Sequence, residues 1–212
     1  MYWMGKSGGF YAYDGGSVKK ITCSVEDFVF TTQTSDDLGF NFGQSEQVFA
    51  GYNTLFTKIN WFYCKDGSTQ IDRCVTLNYR EALWTTSSLA RSSWADSHIF
   101  GKPHGTEYDS SATSDATVGN TDGVTTYFEH ETGTNQIKAG ATTAISASIQ
   151  SGDFDLDQRG LAGDGEFMMK IRRVIPDFLS QTGASRVTLN LKNYPTDTEA
   201  SSSLGPFEVD SD

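Results

Sequence analysis

Three segments of this chain share one pattern, a run of aromatic residues that ends at an acid or hydroxyl residue followed by glycine. They are Phe10-Tyr11-Ala12-Tyr13-Asp14-Gly15, Trp61-Phe62-Tyr63-Cys64-Lys65-Asp66-Gly67 and Tyr127-Phe128-Glu129-His130-Glu131-Thr132-Gly133. Large rings suit the pleated, half-buried surface of a strand, and glycine supplies the positive φ that tight hairpin turns require. The pattern therefore predicts an all-β chain of antiparallel hairpins and meanders. The turns recur about every 50 to 65 residues, at the long end of β-propeller blade periods. A propeller is the expected architecture, with a sandwich or jelly roll as the alternative.

The first unit reads as three short strands, Tyr2-Trp3-Met4, Phe10 to Tyr13 and Ser17 to Ile21, joined at Gly8-Gly9 and Asp14-Gly15. After it, Ser24 with an acid three residues on predicts one short helical turn over Val25 to Phe30, capped by the serine. A second meander follows, with strands at Val48 to Gly51, Ile59 to Cys64 and Ile71 to Tyr79. On the last of these, Arg73, Val75 and Leu77 share one face and Cys74, Thr76 and Asn78 the other. Leu83-Trp84-Thr85 and Leu89 to Trp94 read as a further strand pair.

Between Ser110 and Gly123 almost nothing is apolar, which predicts an exposed loop, and the chain thins again from Gly133 to Thr143. A domain boundary is expected near residue 140. Residues 1–140 would form propeller-like blades of an incomplete propeller, and residues 141–212 a small β-sandwich-like domain. Its strands are expected at Ala144 to Ile149, Phe167 to Ile171 and Arg186 to Leu191, with Ile175-Pro176-Asp177-Phe178 as a connection or edge strand. The segment from Asp197 to Asp212 is polar and acidic apart from Leu204, Phe207 and Val209, and reads as a mobile tail.

The formal charge of −11 argues against a nucleic-acid-binding surface, which needs clustered Lys and Arg. An acidic surface serves solubility, and in a channel it repels DNA and lets it slide. Cys23, Cys64 and Cys74 form no C-x-x-C pair and no metal-ligand spacing; they read as small buried hydrophobes in a reducing compartment. No apolar run is long enough to span a bilayer, and no signal peptide opens the sequence.

Asp153, Asp155 and Asp157, with Gly160, Asp164 and Glu166 beyond them, are the strongest candidate for a metal site, since alternate carboxylates can chelate calcium. Gln158 stands where an EF-hand loop places its turn glycine, and Asp164 where it places a bidentate Glu. A strand with Phe154 and Leu156 inward and the acids outward explains the run without an ion, so no metal or cofactor is expected. His98, His104 and His130 lack the pairing of metal ligands and read as loop and surface histidines. No nucleophile elbow, phosphate loop or dinucleotide fingerprint is present. Asp72, Glu81 and Asp96 have no pattern that marks a glycosidase pair, so no enzyme activity is expected. A surface ring such as Trp94 offers a sugar platform, against the alternative of a core ring.

One resemblance is carried by the order of these motifs. Tyr2-Trp3-Met4-Gly5, Phe10 to Gly15, Val48-Phe49-Ala50-Gly51, Trp61 to Cys64, Asn78-Tyr79, Trp84-Thr85, Leu89-Ala90-Arg91, Ile175 to Phe178 and Asn193-Tyr194-Pro195 follow one another along nearly the whole chain. In this order they resemble the C-terminal part of tail nozzle or hub proteins (tail tubular protein B-like) of short-tailed bacteriophages. The resemblance implies a structural virion protein with a β-propeller, assembled in the host cytoplasm into a hexameric ring. It further implies contact with the tail adaptor and portal complex and with tail fibres, and passage of double-stranded DNA through the ring. It carries over no active-site residue. Such proteins are longer and continue beyond the Asn-Tyr-Pro motif, so the chain is expected to be a segment of a larger one. The alternative expectation is a carbohydrate- or host-receptor-binding β module.

Overall fold

The computed structural model describes residues 1–31, 39–109, 123–138, 141–151, 170–178, 181, 183–194 and 200–210. It is an all-β chain whose described strands form antiparallel sheets of two to four strands, none of them closed. Two units are distinguished, Met1–Ile145 and Ser146–Asp212.

The first unit begins with β1 (Tyr2–Met4), β2 (Phe10–Tyr13) and β3 (Val18–Ile21), a three-stranded meander. Gly8, Gly9 and Gly15 take the positive φ values of 98°, 83° and 101° that its turns demand. Asp14 Oδ1 accepts from the N–H groups of Gly16 and Ser17, and Lys19 binds its other oxygen, which tightens the second turn. Helix α1 (Glu26–Phe30) follows where one turn was expected, but its cap is Val25 and no side chain bonds the free N–H groups. Ser24 thus fails as a cap. Val25 holds the position before the helix, one residue later, and Glu26 in the first turn pairs with Lys20 at 2.5 Å.

A 3₁₀ turn over Phe42–Gln47 leads into a four-stranded meander of β4 (Phe49–Asn53), β5 (Lys58–Tyr63), β6 (Arg73–Asn78) and β7 (Leu83–Ser87). Every residue of β5 from Ile59 to Tyr63 is buried, so this strand is covered on both faces. Its Ile59, Trp61 and Tyr63 join Phe10, Val29, Phe40, Val75 and Leu77 in the main core. Phe10 of the first sheet lies 5.0 Å from the Trp61 ring and 4.7 Å from Trp84, and the two indoles stack at 5.7 Å. Burial of each such ring is worth about 1.5–3 kcal/mol, so this aromatic cluster is the main bond between the two sheets. On the other face, Phe62 stacks on Phe49 at 4.9 Å and meets Trp94 at 5.5 Å.

Trp94 lies on β8 (Ser93–Ala95), which is followed by the four-residue helix α2 (Ser97–Phe100), β9 (His104–Asp109) and β10 (Val124–Glu129). The expected pair of β7 and β8 does not form. β7 closes on β6, and β8 pairs with β9 in a separate sheet ordered β10-β9-β8. The break falls at Ser88 to Ser92, between the two strands, where Arg91 turns into the second sheet and is buried there against Gly105. β11 (Asn135–Lys138) and β12 (Ala141–Ala144) form a hairpin, where the sequence read as thin connection, because cross-strand pairs of Thr and Ile meet the needs of an exposed ladder. The strand expected over Ala144 to Ile149 is not formed: β12 ends at Ala144, and 145–150 is irregular and exposed. That stretch has no neighbouring strand among the described residues to hold its alternating pattern.

In the second unit, β13 (Ser185–Leu191) pairs with β14 (Ser202–Val209). The expected mobile tail is therefore corrected to an eight-residue strand. Its apolar residues escape the simple alternation because the register slips between Val187 and Leu189, with Gly205 at φ 107°. The slip puts Phe207 opposite Val187 and Leu204 opposite Leu189. Residues 170–178 carry no strand, so Ile175 to Phe178 is a connection and not an edge strand, and most of the strand expected from Phe167 lies outside the described residues. A sandwich is not formed by the described residues of this unit.

Candidate functional site

The densest polar arrangement is built on the β8–β9–β10 sheet. Gly105 of β9 pairs with Trp94 on one side and Phe128 on the other, and its missing side chain leaves the space that the Arg91 stem fills; a Cβ there would lie 2.9 Å from Arg91 Cδ. Arg91 is 4% exposed. Its guanidinium lies 4.0 Å over the Phe128 ring, Nη1 donates to Glu107 Oε2 at 3.1 Å, and Nε donates to His130 Nε2 at 2.9 Å. Glu107 is shared, since its Oε1 also accepts from Lys138 at 2.6 Å, and Lys138 reaches Asp109 as well. Glu107 thus ties β9 to the segment before β8 and to Lys138 of β11 through one carboxylate.

His130 accepts through Nε2, which places its proton on Nδ1. Burial, then the charge of Arg91 and then His104, hold its pKa down at about 4. The ring also packs 4.6 Å from Trp94. His104 is buried, stacked on Tyr127 with its Nδ1 hydrogen-bonded to the Tyr127 hydroxyl, and edge-on to Phe100. Its Nε2 has no partner. The reading of these two as loop and surface histidines is corrected for His104, a buried β9 residue between the rings of Tyr127 and Phe100, and in part for His130, which follows β10 but is half-buried against Trp94; spacing along the chain does not reveal either contact. His98 alone is exposed, beside Asp96.

Trp94, for which a sugar platform and a core position were both open, is a cross-sheet peg. Its indole N–H donates to Tyr52 O at 2.6 Å, and its ring lies on Gly51, where a Cβ would fall 2.4 Å from Cδ1. Asp96 secures the same junction. It caps α2 through Ser97 N–H and accepts from Thr54 N–H and Oγ1. Burial pushes its carboxyl up, but the hydrogen bonds from Thr54 and Ser97 outweigh this and hold it below the usual range. Asp72 instead accepts from Lys65 N–H, and Glu81 from Asn78. Each of the three carboxylates is committed to a different turn.

Cys64 and Cys74 are buried and unpaired, and burial pushes their thiols to about 11 and about 12. Cys23, half-buried, is held at about 11 by the same cause. Thiols so far from the thiolate form are poor nucleophiles and metal ligands. Asp153, Asp155 and Asp157 lie outside the described residues, as do Gly160, Asp164 and Glu166. Among the described residues no group of three or more His, Cys, Asp or Glu side chains is placed to hold a metal ion, and no helix is long and apolar enough to cross a membrane.

These contacts define an all-β protein whose buried charges and rings join one sheet to another. The sequence matches no protein-family model and no curated protein.

Proposed function

We propose that the chain is a structural subunit of the tail nozzle or hub of a short-tailed bacteriophage, one of a ring of copies around the path of the genome. The observation that supports this most is the β4–β7 meander, four hairpin-connected antiparallel strands in sequential order, the form that a propeller blade takes. The ordered motifs of the sequence, which carry the resemblance to such tail proteins, run through that meander at Val48 to Gly51, Trp61 to Cys64, Asn78-Tyr79 and Trp84-Thr85. In this reading the ring holds six copies, contacts the portal adaptor and tail fibres, and conducts double-stranded DNA without gripping it. The charge of −11 suits a conduit that lets phosphates slide. The buried groups at the sheet junctions serve shape and not turnover, so no enzyme activity is assigned. Electron microscopy of native particles tests the reading: density for this chain in a ring on the tail axis is expected, and density elsewhere overturns it.

A second reading, a glycan- or receptor-binding module, is favoured by Tyr52, Phe56 and Tyr79, all half-exposed near one end of the same meander. Glycan-array binding that is lost in Tyr79→Ala would favour it over the ring.

A further inference from the structure

His130 and Glu131 follow β10 directly, and each is tied to a different part of the molecule. His130 N–H donates to Pro103 O at 2.8 Å, while its ring meets Arg91 through Nε2 and lies 4.6 Å from Trp94. Glu131 Oε1 accepts from Asn53 Nδ2 at 2.7 Å, a bond that reaches the last residue of β4. Trp94 is itself seated on Gly51 and bonded to Tyr52 O. This turn therefore clasps the β8–β10 sheet to β4, the edge strand of the four-stranded meander.

Three features of the closed clasp are costly. His130 Nε2 accepts from Arg91, a group charged at every accessible pH, so protonation of the ring removes the acceptor and sets two cations against each other. Glu131 has φ 59°, a left-handed backbone conformation that disfavours any residue with a side chain. Asn53 is 2% exposed and bonded through its amide nitrogen, while its Oδ1 is buried with no partner among the described residues. Opening of the turn relieves all three.

The surrounding acids are committed elsewhere. Glu107 of β9 is shared by Arg91 and Lys138, Asp109 pairs with Lys138, Glu129 with Lys102, and Glu131 with Asn53. The His104 ring of β9 also acts on His130, and the Cys74 thiol of β6 acts on Arg91; neither is an anion at or below pH 7. Burial and Arg91 hold the enclosed His130 ring near 4, whereas a ring in solvent titrates near 6.5. The closed form is thus fully favoured above pH 6.5, and the open form gains as the pH falls, by up to about a hundredfold at pH 4.

We propose that this turn is an acid-released latch: proton uptake at His130 breaks its bond with Arg91, the ring swings into solvent, Glu131 lets go of Asn53, and the junction of β8 with β4 loosens. The core around Phe10, Trp61 and Trp84 draws on no residue beyond Trp84, so it stays packed while the junction opens.

The test follows the full chain, labelled with ¹⁵N, by nuclear magnetic resonance from pH 7 to pH 4. The Trp94 indole and Asn53 side-chain amide signals are expected to move together, through one midpoint between about pH 4 and 6.5, and to return at pH 7. The indole signals of Trp61 and of Trp84, which is bonded to Thr22 O, are expected to stay in place. In His130→Gln, which keeps an acceptor for Arg91, the transition should vanish. The imidazole nitrogens of the parent give a readout that needs no variant: His130 should be neutral with its proton on Nδ1 at pH 7 and should charge at the same midpoint. The proposal is overturned if Trp94 and Asn53 do not move by pH 4, if they move equally in His130→Gln, or if His130 charges without them. It is also overturned if Trp61 and Trp84 shift at that midpoint, which would make the event an unfolding of the core.

Discussion

His130 shows how one residue links pH to stability. Its pKa is near 4 in the folded chain against an ordinary value near 6.5, because the ring is enclosed and its Nε2 is occupied by the Arg91 N–H. Between these values the unfolded chain takes up a proton that the folded chain refuses. The stabilisation is therefore complete above pH 6.5 and is lost as the pH falls towards 4, by about 1–2 kcal/mol once partial solvation of the ring is allowed for. His130→Gln keeps an acceptor for Arg91 and cannot titrate in this range. Urea midpoints measured at pH 7 and pH 4.5 should differ less in this variant than in the parent; an equal drop in both would remove His130 as the cause.

Arg91 makes the same point about burial. Arg91→Ala leaves Glu107 with Lys138 alone, takes the donor from His130 Nε2 and uncovers the Phe128 face, a loss of about 1–3 kcal/mol. Lys102→Ala, which breaks the half-exposed pair with Glu129, should cost at most about 1 kcal/mol. Chemical denaturation of the two variants side by side checks the contrast. Neither residue declared its role in the sequence, since Arg91 is defined by Gly105, Phe128 and His130, which reach it only through strand pairing.

At the scale of elements, turns were legible and partners were not. Gly15, Gly67 and Gly133, the three glycines of the repeated pattern, all adopt positive φ, because an aromatic strand that must reverse tightly needs that conformation whatever lies around it. The meanders β1–β3 and β4–β6 follow from the same local rule. β8 was misassigned to β7 because period and composition say where a strand is and not which edge it meets. β14 was missed because one extra residue at the Gly205 bulge hides its alternation. The junction of β4 with β8 was equally hidden, although Gly51 inside an aromatic strand is a signal of close approach. Gly51→Ala would drive a methyl group into the Trp94 ring and should cost about 1–3 kcal/mol. In a Trp94→Ala background the same change should cost far less, and a double-mutant cycle measures the coupling. Additive effects would mean that the indole does not sit on Gly51.

Across the whole molecule, burial is uneven, and that has a mechanical consequence. Among the described residues every buried hydrophobic side chain lies between Phe10 and Phe128, all within Met1–Ile145. Among its described residues the second unit offers only a two-stranded hairpin, whose Leu204 and Phe207 are half-exposed. A lone hairpin is at best marginally stable in water, whereas the first unit has a continuous aromatic core between two sheets. A chain cut after Ile145 should therefore keep a cooperative thermal transition within a few degrees of the full chain, since little of its core-derived enthalpy is removed. The complementary fragment from Ser146 should melt without cooperativity, or gain structure only when another chain covers the Val187–Phe207 and Leu189–Leu204 pairs. Calorimetry on the two fragments separates these outcomes. Loss of the transition in the first fragment would show that its sheets depend on the second unit, and would place the main stabilising contacts outside the aromatic core.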